Sequence, residues 1–177
     1  KIDEKEKAAR KEKTAILQEL AESSLSVLIG GAGTGKTTLL ALLCKSEKVR
    51  EGEVLLLAPT GKARVRMSKT MNDQGVQHKA QTIAQFLIRN HRYDWNTCQY
   101  RMADLPAKDV PATVIIDESS MMTEEMFGAV LDALKPAKRI IFVGDPNQLP
   151  PIGAGRPFVD LVRFLNHDLP PFPEPQV

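Results

Sequence analysis

Residues 30–37, GGAGTGKT, carry the residue types and spacing of a loop built to hold phosphate. Glycines let successive backbone N–H groups turn inward around an anion, and a helix starting at Lys36 adds its positive end. The pattern G-x-x-x-x-G-K-[ST] is matched in full. Apolar SVLI precedes it and TTLLALL follows it, the strand–loop–helix context in which the pattern has meaning. Gly31, Ala32, Gly33, Thr34, Gly35, Lys36, Thr37 and Thr38 are the expected nucleotide cradle. Lys36 is expected to reach the β- and γ-phosphates, and the Thr37 hydroxyl to ligate Mg2+. A glycine-rich strand–helix turn without a ligand is the plainer alternative.

A second candidate is ATVIIDESS at 112–120, an apolar strand that ends in two adjacent carboxylates, Asp117 and Glu118. At the C-terminal edge of a sheet they would lie beside a ligand crevice. Two such charges repel, and a bound Mg2+ and water would compensate. Asp117 then serves the metal through its water shell, and Glu118 orients or deprotonates the attacking water. The alternative is a helix start, since Asp117, Ser119 and Ser120 precede a helical segment. With the phosphate loop, the pair points to an ATPase using ATP and Mg2+.

Positioning these groups requires a particular succession of elements. Four short aliphatic runs without polar alternation, Ser26–Gly30, Val54–Ala58, Ala112–Asp117 and Ile140–Gly144, read as strands covered on both faces. Helical stretches lie between and after them at Lys36–Ser46, Gly61–Met71, Gln81–Asn90 and Thr123–Leu134, with a further one at Pro157–Leu165. Such alternation predicts an α/β fold, a parallel sheet with helices on both faces. Residues 1–24 favour helix, with Asp3/Lys7 and Glu6/Arg10 at the better spacing for surface ion pairs and Ile16, Leu17 and Leu20 forming a face to bury. Residues 91–111 read as an excursion, with Tyr93, Trp95 and Tyr100 packing locally or stacking on bases. The proline-rich stretch 167–177 reads as a tail or linker.

The bulk numbers narrow the class. A chain of 177 residues that is 42% hydrophobic and 26% charged suits one globular domain, and a net charge of +2 does not by itself argue for nucleic acid. Cys44 and Cys98 form no CxxC and, with three scattered histidines, make a poor zinc set. No apolar run approaches the ~20 residues of a membrane span. A cytoplasmic location is expected, and a start on KIDEKEK without Met is expected of a piece of a longer chain.

Four stretches, in order, carry a resemblance: LIGGAGTGKTTLL, LAPTGKARVRM (57–67), VIIDESSMM (114–122) and VGDPNQLPPIGAG (143–155). Together they resemble superfamily 1 DNA helicases, most closely the RecD-like group, over roughly residues 25–165. The pairing of APTGKA with GDPNQLPP is the specific part, because the phosphate loop is shared by many families. The resemblance implies the first of two RecA-like motor domains, at residues 25–166 behind an N-terminal helix at 1–24, truncated before the second. Single-stranded DNA is the implied partner, with ATP in the cleft between the domains. It also implies that the strand ending at Gly144 lies between the phosphate-loop strand and the Asp117–Glu118 strand, so that Gln148 senses the γ-phosphate and Asp145 supports the loop or the magnesium waters. Thr60 and Thr82 are implied DNA-phosphate contacts, with Lys62 or Arg64 adding charge; Lys62, Arg64 and Arg66 read equally as surface cations. Phe86 reads as core.

Two positions depart from the family pattern. Relatives often carry His two positions after the Thr, where this chain has Ala84, and an adenine-reading Gln upstream of the phosphate loop, where it has Lys13. Arginines for the γ-phosphate are expected from the second domain, so this piece alone is expected to bind Mg-nucleotide, turn it over slowly and not unwind DNA. A P-loop phosphotransferase and a non-catalytic nucleotide-binding module are the rival readings. The first does not account for GDPNQLPP, and the second does not need Glu118.

Overall fold

A computed structural model describes residues 4–31, 33–50, 52–103 and 106–166. Ala32 of the expected cradle, Asp3 of the expected surface pair and the tail at 167–177 lie outside the described residues. Within them, the strands β1 (Leu25–Ile29), β2 (Val54–Ala58), β3 (Lys79–Thr82), β6 (Thr113–Ile116) and β7 (Arg139–Gly144) form one parallel sheet in the order β1-β7-β6-β2-β3. The phosphate-loop strand and the carboxylate strand thus flank β7, as expected. The helices are α1 (Glu4–Glu22), α2 (Lys36–Lys45), α3 (Glu47–Arg50), α4 (Gly61–Asp73), α5 (Ile83–Arg89), α6 (Glu124–Ala133) and α7 (Pro157–Leu165).

Absence of polar alternation in the strands has the expected cause, a core on each side of the sheet. Val54, Leu56 and Ala58 of β2 pack with α1, α2 and α4, while Leu55 and Leu57 pack with α5, α6 and α7. Every residue of β2 and β6 is buried, and each Val, Leu or Ile so placed contributes about 1.5–3 kcal/mol. Arg139 of β7 ties α1 to the sheet by donating to the Ala21 carbonyl and, at 2.8 Å, to the Thr113 hydroxyl. Glu6 and Arg10 pair at 2.8 Å on α1.

The sequence expectation is corrected in two places. Residues 79–82 form an edge strand that is too polar and short to read as one, paired with β2 at Leu55↔Lys79 through Ala58↔Thr82. The helix expected from Gln81 therefore starts at Ile83, fixed by a capping box between Thr82 and Gln85. Residues 91–111 include a small antiparallel hairpin, β4 (Tyr93–Asp94) and β5 (Gln99–Tyr100). The rings of Tyr93 and Tyr100 lie 4.7 Å apart, as local packing requires, whereas Trp95 is exposed. Phe86 is core.

Candidate nucleotide-binding site

The strands run the same way, so their C-terminal ends and the loops that follow meet at one edge, where a cavity of about 490 Å³ opens. Its walls include Gly33 to Thr38, Asp117, Glu118 and Gln148, residues far apart in sequence. Gly33 and Gly35 take left-handed backbone angles, φ 77° and 83°, that side chains resist. Gly35 starts α2 without a side-chain cap, which leaves the N–H groups of its first turn for an anion. Lys36 folds over the loop, its ammonium donating to the Gly30 and Gly31 carbonyls at 2.5 and 2.7 Å. Gly30 N–H donates to the Gly144 carbonyl at 3.2 Å, joining the loop to the end of β7.

Asp117 and Glu118 do not cap α6, and this corrects the helix-start alternative. Thr123 is that cap, accepting from the Met126 N–H at 3.3 Å, and a 3₁₀ turn at Ser119–Met121 intervenes. Glu118 itself sits at φ 55°, a left-handed angle uncommon outside glycine and found disproportionately at functional sites. The bend is held by the Glu118 N–H donating to Asp117 Oδ1 at 2.9 Å and by the Met121 N–H donating to the Glu118 carbonyl at 3.0 Å. Asp117 is buried, and desolvation raises its carboxyl above the usual range; the hydrogen bond from the Glu118 N–H opposes the rise, the Glu118 charge adds to it, and the charges of Arg66 and Lys36 oppose it from a distance.

Gln148 follows a tight turn in which the Asp145 carbonyl accepts from the Gln148 N–H at 3.1 Å and Asp145 Oδ1 from the Asn147 N–H at 3.0 Å. Asp145 therefore supports the loop. Ser120 Oγ donates to Gln148 Oε1 at 3.3 Å, and among the described residues the amide NH2 has no acceptor, so it can donate into the cavity. Gly144 allows this close packing: a Cβ there would meet the Phe158 ring at 2.9 Å and the Ser120 N at 3.1 Å.

Two residues of this site escaped the sequence reading. Arg66, on α4, lines the cavity and donates from Nη2 to Glu118 Oε1. Ser120 steers Gln148. The signal for Arg66 was helical phase: Arg66, Met67 and Thr70 share one side of α4 at spacings of three and four, and all three line the cavity.

The nucleic-acid candidates lie at the same sheet edge but outside the cavity. Thr60 caps α4, accepting from the Ala63 N–H at 3.2 Å, and Thr82 caps α5, accepting from the Gln85 N–H at 3.2 Å. Each hydroxyl uses its oxygen in the cap and keeps its proton to donate. Lys62 is exposed, and Arg64 lines a shallow cleft with Lys79 and Arg89. Among the described residues no cluster of three or more His, Cys, Asp or Glu could hold a metal ion, and no helix is long and apolar enough to cross a membrane.

The pattern defining the AAA domain family matches residues 8–168. An uncharacterized protein of Methanocaldococcus jannaschii is 34% identical over 173 residues, covering 92% of this chain and 14% of that protein. The ATP-dependent RecD2 DNA helicase of Deinococcus radiodurans is 32% identical over 157 residues, covering 89% of this chain and 20% of the helicase. The RecBCD enzyme subunit RecD of Mycolicibacterium smegmatis is 33% identical over 178 residues, covering 89% of this chain and 31% of the subunit. The chain thus spans less than a third of the length of these relatives. With a phosphate loop, a carboxylate pair and a Gln148 loop converging on one cavity of a parallel α/β sheet, the chain belongs to the AAA domain family, and over most of its length it is similar to RecD-like helicases of superfamily 1.

Proposed function

We propose that the protein is the ATP-hydrolysing first motor domain of a DNA helicase or translocase, coupling turnover to movement on single-stranded DNA. The observation that carries this is one cavity walled by Lys36 and Thr37, by Asp117 and Glu118, and by Gln148. These are the parts needed to hold a triphosphate, prepare a water and sense the terminal phosphate. The donor set fits Mg2+. Thr37 and Asp117 present hard oxygens to the same cavity, and the described residues build no metal cage of their own, which suits an ion held jointly with phosphate. Bound there, Mg2+ would neutralise charge on the phosphate oxygens.

The residues divide the work. Backbone N–H groups of the loop and Lys36 hold the phosphates. Glu118 takes a proton from water as the water oxygen bonds the γ-phosphorus and the bond to the bridging oxygen breaks, its electron pair leaving with ADP. Gln148, steered by Ser120, donates to a γ-phosphate oxygen and loses that partner on phosphate release. The loop then has two states of different energy, as a motor needs. Thr60, Thr82, Lys62 and Arg64 contact DNA phosphates, which positions the strand without reading its sequence. In this reading residues 25–166 form the motor domain behind the helix at 1–24, in a cytoplasmic protein. A second RecA-like domain of the full-length chain supplies arginines worth about 10³-fold in rate or more, so this domain alone turns over slowly.

Lys36→Ala in the full-length protein tests the site. Turnover should fall by about 10²-fold or more, the cost of losing a preorganised charge partner, with the thermal unfolding profile unchanged. ATPase activity retained in a folded variant would refute the assignment. A full-length protein whose ATPase is never stimulated by single-stranded DNA would refute the helicase reading.

A further inference from the structure

The pair between Arg66 and Glu118 has no evident reason in stability. The arginine side chain is 70% exposed and the glutamate 18%, and ion pairs this open contribute about 0–1 kcal/mol. Its location is the informative part. Glu118 ends the carboxylate strand on a strained backbone angle and faces the cavity, with Arg66 holding one of its two carboxylate oxygens. Arg66 belongs to α4, the helix that Thr60 caps and on which Lys62 and Arg64 lie. Thr60 and Arg66 are about 9 Å apart along a helix axis rising 1.5 Å per residue. Met67 and Met71 bury the inner side of that helix in the core, so α4 moves as one body. A displacement of the Thr60 end of α4 would reach the Glu118 carboxylate through the Arg66 guanidinium.

Resting on the function proposed above, we infer that Arg66 is a positioning residue. It fixes Oε1 of Glu118 so that the other oxygen is presented to water, and it makes that placement depend on nucleic acid held at the start of α4. Arg66 is thus the link through which DNA raises ATP turnover.

The experiment is steady-state ATPase kinetics of the full-length protein with and without single-stranded DNA, for wild type, Arg66→Ala, Arg66→Lys, Glu118→Ala and the Arg66→Ala/Glu118→Ala double variant. Lys69→Ala, an exposed cation on the same helix, controls for lost charge. Arg66→Ala should lower the DNA-stimulated kcat about tenfold, within the range general-base placement commands. Basal kcat should fall as well but by less than the stimulated kcat, the KM for ATP should stay within about threefold, and Arg66→Lys should restore part of the stimulation. The double variant should be no slower than Glu118→Ala, because a residue acting through another adds nothing once that one is gone. The inference is overturned by an unchanged stimulated rate, by equal losses in the basal and stimulated rates, or by additive losses in the double variant. If wild type itself shows no stimulation, the helicase reading falls and this inference with it; a stimulated wild type beside an unaffected Arg66→Ala removes the inference alone.

Discussion

Two buried aspartates, one directly after the carboxylate strand and one on the helix α6 that follows it, are treated in opposite ways. Asp132, on α6, is paired on every side. Its carboxylate accepts from Arg92 Nε at 2.8 Å, from Lys135 Nζ at 2.5 Å and from the Ala103 N–H at 3.2 Å. Lys135 foremost, then the Ala103 N–H and Arg92, hold its carboxyl below the usual range. Asp117 is equally buried, but among the described residues its side chain accepts only the Glu118 N–H, and desolvation raises its carboxyl. The first arrangement closes a network that fastens the root of the β4–β5 hairpin to α6. The second leaves a carboxylate short of partners at the mouth of a cavity, the condition of a group that awaits a ligand. Burial alone does not separate the two aspartates; hydrogen-bond satisfaction does.

The largest expected effect comes from breaking the satisfied site. Asp132→Ala takes the carboxylate away from the Arg92 guanidinium, whose side chain is 3% exposed and which keeps its bond to the Asn90 carbonyl, and should cost about 3–5 kcal/mol in chemical denaturation. Loss of less than about 1 kcal/mol would mean that the network is dispensable and the contrast with Asp117 empty. Acid probes the same group more gently. The folded carboxyl of Asp132 titrates below its unfolded value of about 3.9, so its stabilisation is complete above that pH and is lost as pH falls through the folded value. The acid limb of the stability profile should therefore be shallower in Asp132→Ala than in wild type; identical acid limbs would assign the protection elsewhere.

What could be read in advance follows the same division. Elements carried by local pattern were legible: the strand–loop–helix around GGAGTGKT, the strand that ends at Asp117–Glu118, and the aliphatic runs of β2, β6 and β7. Features set by tertiary contact were not. Lys79–Thr82 has no strand pattern, because an edge strand needs only one neighbour and tolerates charge. Arg66 reads as a surface cation until α4 is rotated into place, since helical phase becomes informative only once the facing element is known. The part played by Asp132 depends on Arg92, forty residues away, and no local pattern announces it. Thr60 and Thr82 lie together at one sheet edge only because β3 pairs with β2, in a register that residues 79–82 do not reveal by themselves.

The smallest effect is the sharpest test of the contrast. Asp117→Asn keeps the oxygen that accepts the Glu118 N–H and removes the charge that burial disfavours. Because the folded carboxyl is raised, the folded state binds more protons than the unfolded one between the ordinary and the raised value. Its contribution to stability therefore falls as pH rises through that window. Above the window the ionised group is a net cost, so at pH values beyond it Asp117→Asn should stabilise the protein by about 1 kcal/mol, the scale of trade-offs at functional sites. The gain should shrink toward zero in acid, where wild-type Asp117 is itself neutral. Thermal unfolding of both proteins across pH, without nucleotide or Mg2+, measures it. Stabilisation with loss of turnover would mark Asp117 as a carboxylate kept for chemistry at the expense of the fold. Destabilisation above the window would mean that its charge has partners in the folded protein after all, and the two aspartates would then differ in degree only.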